Sequence, residues 1–342
     1  MRSASAKQMG LTEERIDEGI DNYRNSDQFT EAEKIALRYS ELMGTDPGKI
    51  DERFYEDLKS FFNEEEIIEL GTFIGFNVGY HTFFGTLDFY PMFSPEGELV
   101  DQEESRRLYG PRPISLLKQS KSECQSGHQE SHAAQTTPSK PAENEDNAKT
   151  PLDYSIPKNG KLMLQPLSQD EISDQELQKM LEQSEESQVP DSLFVLILGR
   201  VPSYAKALFG AMREAHLKGN VDHQLKEIIR IQLARRAGDP YFANLRSQIA
   251  IQGGLTEARI EAGCGDFEND LQFTPAEKWA LRYGFLMYRD PEKLNKAFYD
   301  EGKSFYTEAQ IMEIGGMIAI HYGMQVFMQT LNAAPLHLSN SN

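Results

Sequence analysis

Cysteine, tryptophan and basic side chains are scarce in this chain. Its 342 residues include two cysteines and one tryptophan, and 35 Lys and Arg stand against 54 Asp and Glu. Two thiols are too few for a disulfide framework, and such a low number fits a reducing compartment. We therefore expect a cytoplasmic protein. The formal net charge of −19 argues against nucleic acid and anionic membranes as partners, because like charges repel.

Long apolar runs are also lacking. Residues 70–84 (LGTFIGFNVGYHTFF) come closest to a membrane span, but they contain Asn77 and His81 and are shorter than the ~20 apolar residues that a spanning helix needs. We therefore predict a helix that is buried in protein. No basic segment precedes an apolar one near the N-terminus, so no secretory signal is expected.

Residues 118–150 lack aromatic and large aliphatic side chains altogether. Such a tract cannot bury enough apolar surface to offset the entropy of ordering, so we predict disorder. It contains Cys124, His128 and His132, but a metal site needs ligands that are held together, so no metal is expected there.

The chain does contain an internal repeat. Residues 1–87, the first copy, align without a gap with residues 245–331, the second copy, at a constant offset of 244, and about 41 of the 87 pairs are identical. GLTEERI at 10–16, for example, returns as GLTEARI at 254–260. Similarity this dense indicates two copies of one structural unit.

The two copies differ in what precedes them. About 55 residues, from Asp191 onward, lead into the second copy, whereas the first begins at Met1, opposite Leu245. Either the chain is a half-plus-whole tandem or its start was assigned too late. We predict a partial repeat at 1–112, a disordered linker at 113–168 and a complete domain at 169–335.

The local patterns predict an all-α fold. Thr30 with Glu33 forms a capping-box pattern that Thr274 with Glu277 repeats, and no stretch sustains period-two alternation. The last helix of each copy is apolar nearly all round, so most of its faces must be covered by a core or a subunit interface. His216 and His223 flank a turn before the second copy and are expected at the surface or at a cap.

Four residues around a helix break carry a further pattern. Glu227 is followed by Asp239, Phe242 and Arg246 at spacings of 12, 15 and 19 residues, and Gly238-Asp239-Pro240 breaks the helix. This resembles the alkylhydroperoxidase D / carboxymuconolactone decarboxylase family, in which a glutamate precedes Cys-x-x-Cys-x-x-x-His. Asp239 and Phe242 occupy the cysteine positions here, and Arg246 occupies the histidine position.

The resemblance covers nearly all of 191–331 and of 1–87. It implies a tandem alkylhydroperoxidase D-like helical fold, with carboxymuconolactone decarboxylase-like domains that associate through their helices into a homo-oligomer. Without either cysteine, the dithiol peroxidase activity of the family is not expected. Tyr241 matches a tyrosine of the cysteine-free branches of the family.

Two functions follow from this resemblance. The first is a cofactor-free and metal-free lyase that decarboxylates or isomerises a small carboxylate or lactone. Glu227, with a raised pKa, would move the proton, Arg246 would hold the carboxylate, and Tyr241 would assist. Further contacts to the substrate would come from Arg230, Asp239 and His321.

The second function is a non-catalytic binding or scaffold protein that keeps only the fold. In this interpretation Glu227 and Arg246 form a buried structural pair, although Arg230 could supply the charge instead. Asp239 is then a helix N-cap with Pro240 at the first helical position. His321, which lies on an apolar helix, is then a core residue. A pocket at Glu227 and Arg246 would favour the enzyme, and a closed pair would favour the scaffold.

Overall fold

The computed structural model describes residues 6, 8–87, 90, 92–94, 98–109 and 161–335. Contacts divide the chain into two compact units, a larger one formed by residues 2–88 and 154–342 and a smaller one that holds residues 89–153. The tract predicted to be disordered, 118–150, lies outside the described residues, as does most of the predicted linker at 113–168. The predicted domain boundaries stay a prediction.

Helices and short 3₁₀ turns make up the regular structure of the described residues, which contain no β-strand. The all-α prediction is therefore confirmed. The helices of residues 8–87 are α1 (Glu13–Asp21), α2 (Glu31–Thr45), α3 (Glu52–Lys59) and α4 (Glu64–Thr86). The smaller unit holds α5 (Gln102–Tyr109) and an isolated bridge between Phe93 and Leu99. The later helices are α6 (Gln175–Ser187), α7 (Ser192–Leu198), α8 (Pro202–Leu217), α9 (His223–Ala237), α10 (Pro240–Asn244), α11 (Gln248–Gln252), α12 (Glu257–Cys264), α13 (Pro275–Met287), α14 (Lys296–Gly302) and α15 (Glu308–Thr330).

The helices of the two copies occupy equivalent positions. The first residues of α1 to α4 are 13, 31, 52 and 64, and those of α12 to α15 are 257, 275, 296 and 308, each 244 higher. The capping boxes of Thr30 with Glu33 and of Thr274 with Glu277 both form, as the sequence predicts. The same local signals therefore start the same helices twice.

The long helices α4 and α15 cross in antiparallel directions at closely spaced backbones. A side chain at Gly75 would collide with the Gly323 carbonyl, and one at Gly79 would collide with that of Ala319. Adding 244 to 75 and to 79 gives 319 and 323, so the two contacts exchange when the copies are exchanged. The copies are therefore related by a pseudo-two-fold axis that passes through this crossing.

Hydroxyl groups of each copy bond to tyrosine hydroxyls of the other copy across this axis. Thr330, at the end of α15, bonds to the hydroxyls of Tyr39 and Tyr55 in the first copy at 3.3 and 3.0 Å. Thr86, at the end of α4, bonds to the Tyr299 hydroxyl at 2.6 Å, and that hydroxyl lies 3.0 Å from the Tyr283 hydroxyl. Each copy thus completes a tyrosine pair in the core of the other.

The two long helices differ in how completely they are covered. Among the described residues, α15 is long and apolar enough to cross a membrane, but 78% of its most apolar window is buried inside the protein. On α4, by contrast, Phe73 and Phe76 are 62% and 40% exposed. Residues 70–84 thus belong to a helix, as predicted, with one face buried within the chain and the other face exposed.

Candidate functional site

The helix break between α9 and α10 has the predicted geometry. Helix α9 ends at Gly238, whose φ of 69° lies in the left-handed region that glycine adopts without strain. The Asp239 carboxylate then accepts bonds from the N–H groups of Tyr241 and Phe242 at 3.0 and 3.1 Å, with Pro240 at the first helical position. The predicted N-cap is confirmed. This break turns the chain so that the segment after α10 comes back beside α9.

Glu227 is fully buried on α9, and both of its oxygens accept hydrogen bonds. Arg230 donates from Nε to Oε2 and from Nη2 to Oε1, both at 2.8 Å, and the Ser247 N–H donates to Oε1 at 2.8 Å. Arg230 also donates to the carbonyls of Phe242 and Leu245 at 2.7 and 2.8 Å. The guanidinium group thereby ties α9 to the segment after α10.

The predicted pair of Glu227 and Arg246 is wrong. Arg246 donates to the Glu257 carboxylate at 2.8 and 3.2 Å and to the carbonyls of Ala243 and Leu245, and its side chain is 22% exposed. Arg230 takes Glu227 instead because the two residues are one helical turn apart on α9, where side chains meet without any change of the backbone. Arg246 therefore lies at the edge of the protein and outside the Glu227 centre.

His216 contacts Glu227, and two further histidines, His223 and His321, lie next to His216. His216 Nε2 is 3.0 Å from Glu227 Oε2, and the His216 ring lies 4.5 Å from the ring of His223 and 5.4 Å from that of His321, centroid to centroid. His216 and His321 are fully buried, so the expected surface or cap position of His216 is wrong. Their separation in sequence hid this cluster, although the seven-residue spacing of His216 and His223 across one turn was a signal. We call Glu227, Arg230, His216, His321 and Ser247 the Glu227 cluster.

Burial and charge fix the protonation of this cluster. Burial alone would raise the pKa of Glu227, but the Arg230 guanidinium and His216 hold that pKa well below its usual value. Burial lowers the pKa of His216 to about 4 against the opposing effect of Glu227, and it lowers the pKa of His321 well below the usual value. The cluster therefore holds an ionised carboxylate and neutral imidazoles near pH 7, and the raised pKa expected for a catalytic Glu227 is wrong.

The other predicted site residues have fixed structural contacts. The Tyr241 hydroxyl donates to Asp191 Oδ1 at 2.6 Å, and burial raises the pKa of Tyr241 well above its usual value. Burial raises the pKa of the Asp239 carboxyl to about 8. Cys264, the second cysteine of the chain, is not one of the predicted site residues; burial raises its thiol pKa to about 11, which disfavours the reactive thiolate.

Several buried polar atoms in and beside the Glu227 cluster make no hydrogen bond with the described residues. Two of them are His216 Nδ1 and Oε1 of Gln325, whose Nε2 donates to the Arg230 carbonyl at 3.0 Å. Buried polar atoms are nearly always paired, so these two are candidates for contact with a small polar ligand.

Among the described residues, no group of three His, Cys, Asp or Glu side chains could hold a metal ion. A groove of the larger unit lies on the first copy and is bordered on one side by Tyr204 of α8. It is open, has a volume of about 310 Å³ and is bordered by Phe62, Glu69, Leu70 and Phe73, among others. We call it the first-copy groove.

No protein-family model and no curated protein matches this chain. It is similar to a solved structure of the debrominase Bmp8, a cysteine-to-alanine variant in complex with 2,3,4-tribromopyrrole, with 21% identity, a TM-score of 0.45 and coverage of 51% of this chain and 92% of that chain. The apo form of Bmp8 gives 23% identity, a TM-score of 0.42 and coverage of 47% and 86%. These scores are too low to support an argument about function.

Proposed function

We propose that this chain is a non-catalytic binding or scaffold protein with an alkylhydroperoxidase D-like helical fold. The observation that supports this most directly is the state of Glu227. Its two oxygens accept bonds from Arg230 and Ser247, and none of its surface reaches solvent. In this proposal the Glu227 cluster holds α9 against the segment that follows α10.

The acid–base properties of the cluster support the same proposal. A general base must come within hydrogen-bond distance of a substrate proton, and it works best with a pKa near the operating pH. Glu227 is enclosed and has a low pKa. Arg246 cannot act as a base at all, because a guanidinium stays protonated.

A second candidate rests on the unpaired polar atoms. His216 Nδ1 and Gln325 Oε1 would both find partners in a small polar molecule that entered beside Glu227. In that case His216 and Glu227 would move a proton in the cofactor-free decarboxylation or isomerisation of a small carboxylate or lactone. Such an enzyme would need a path to the cluster that opens when the substrate binds.

A turnover assay distinguishes the two candidates. The purified chain is incubated with small aromatic carboxylates, dicarboxylates and lactones, and substrate loss and released carbon dioxide are measured. The scaffold proposal predicts no turnover above that of the buffer. Turnover that is lost in His216→Gln and kept in His81→Gln, a matched change on the exposed side of α4, would establish the enzyme instead.

A further inference from the structure

The exposed face of α4 has a covered counterpart in the second copy. Phe73 and Phe76, which are 62% and 40% exposed, correspond at the offset of 244 to Met317 and Ile320 on α15, which are 0% and 2% exposed. The same helix face is therefore apolar in both copies and covered in only one of them. The second copy shows what kind of element covers such a face.

Helix α9 and the turn before it cover the face of α15. Lys226, on α9, donates from Nζ to Glu313 Oε1 at 2.8 Å. The N–H groups of Asn220 and Val221 donate to the same carboxylate at 2.8 and 3.1 Å. Further along, Ile228 and Ile229 of α9 lie in the same buried apolar cluster as Met317 of α15. The contact combines apolar packing with one lysine–glutamate pair.

The residue equivalent to Glu313 in the first copy is Glu69. It is exposed, and its carboxylate makes no hydrogen bond or ion pair with the described residues. Glu69 borders the first-copy groove together with Phe62, Leu70 and Phe73. Their counterparts in the second copy are Tyr306, Glu313, Ile314 and Met317. Glu313 binds the turn at Asn220 and Val221, and Ile314 and Met317 lie in one buried apolar cluster with Val221 and Leu225, against which Tyr306 packs. The first-copy groove is thus equivalent to the surface of the second copy that α9 and the turn before it cover.

We propose that the first-copy groove is a docking site for a partner helix with the residue pattern of α9. Such a helix has an apolar stripe for Phe73 and Phe76 and, in its first turn, a lysine for Glu69. Charge complementarity favours this occupant, because the groove carries Glu66 and Glu69 and the chain has a net charge of −19. An aromatic face of this kind on a helix surface is typical of a helix-in-groove interface. The proposal holds whether or not the Glu227 cluster is catalytic.

The test uses a peptide of known sequence as the partner. A fluorescein-labelled peptide of residues 218–237, KGNVDHQLKEIIRIQLARRA, is titrated with the full chain, and its anisotropy is measured. We expect saturable binding that Phe73→Asp weakens at least ten-fold. Phe73 is exposed, so this variant is expected to keep the wild-type circular dichroism spectrum and melting temperature.

A charge exchange makes the test specific for Glu69. Glu69→Lys is expected to weaken binding of the wild-type peptide, and a peptide with Lys226→Glu is expected to regain affinity for that variant. Glu56→Lys, the same change at an exposed carboxylate on α3 outside the groove, is expected to leave binding within two-fold. Absence of saturable binding, or binding that neither groove variant weakens, would overturn the proposal. A dimer of the chain that Phe73→Asp dissociates, with no peptide binding, would overturn it too and assign the face to a second copy.

Discussion

At the scale of single residues, the Glu227–Arg230 pair is the centre of the fold around α9. Removing two charges from water is unfavourable, and their attraction offsets this only when the geometry is good and the remaining donors are paired. Arg230 meets both conditions, since it binds Glu227 through two nitrogens and donates to two carbonyls. The sequence offered Arg230 and Arg246 as partners, and only the helical spacing of three residues distinguished them.

Removal of one partner should be more harmful than removal of both. Arg230→Met leaves the buried Glu227 charge without its main partner, so we expect a loss of about 3–5 kcal/mol in the free energy of unfolding. The double variant Glu227→Gln, Arg230→Met should recover a large part of this loss. Urea denaturation followed by circular dichroism measures both.

Arg246→Ala serves as the control for this prediction. Its pair with Glu257 is partly exposed, so its removal should change the free energy of unfolding by less than about 1 kcal/mol. A loss at Arg246 as large as that at Arg230 would contradict the assignment of Arg230 as the structural partner.

The pKa of His216 predicts how stability depends on pH. Its pKa is lowered from 6.5 to about 4 in the folded state, so the unfolded chain binds more protons between these values. Its contribution to stability is therefore complete above pH 6.5 and is lost as the pH falls toward 4, by roughly 3 kcal/mol in total. Thermal or urea unfolding between pH 7 and pH 4 should show a smaller loss for His216→Gln than for the wild type. Equal slopes for the two proteins would refute a neutral, buried His216.

At the scale of elements, glycines on α4 set how closely it approaches α15. Gly71, Gly75 and Gly79 lie four residues apart in the sequence, a spacing that favours the close approach of another helix. The sequence could not show which helix comes close, because a spacing describes only one partner. It also could not show that a face of α4 stays exposed, since this depends on α9 covering α15 and not α4.

Gly79→Ala should be clearly destabilising. The new methyl group would meet the backbone carbonyl of Ala319, which cannot move without shifting α15, so we expect a loss of about 1–3 kcal/mol. Gly44→Ala on α2 is the matched control, because a side chain there meets nothing within 4 Å. That control should be neutral or stabilising by up to about 1 kcal/mol, since alanine favours the helix. A lower melting temperature for Gly79→Ala and an unchanged or higher one for Gly44→Ala would agree with this prediction. Equal losses of melting temperature in the two variants would contradict it.

At the scale of the whole molecule, the sequence predicted much of the architecture and less of the site. The constant offset between the copies, the capping residues and the Asp239-Pro240 N-cap can all be read directly from the sequence. The helices begin where these patterns predict. The contact of His216 with His321 and the exchanged hydroxyl contacts could not be predicted, because they bring together residues that lie far apart in the chain. Thr330 and Tyr39, for instance, are 291 residues apart and meet only across the pseudo-two-fold axis.

The exchanged contacts predict that the two copies unfold together. Trp279, the only tryptophan, reports on the second copy, and circular dichroism reports on all helices. The two signals should show one common midpoint in urea. Thr86→Val and Thr330→Val each remove a hydroxyl that bonds to a tyrosine of the opposite copy. Each should lower the free energy of unfolding by about 1–2 kcal/mol and move both signals to the same lower urea midpoint. Separate midpoints for fluorescence and circular dichroism would show that the copies are independent.

The crossing of α4 and α15 also determines which substitutions each of the two copies can accept. In a dimer of identical chains, every substitution enters at two symmetry-related places, so an interface must tolerate both at once. Here one polypeptide contains both copies, so a substitution in one copy does not change the equivalent residue of the other. His321 is buried where its counterpart Asn77 is partly exposed, and Met317 is covered where Phe73 is not. Joining the copies thus lets one side evolve while the other preserves the shared framework.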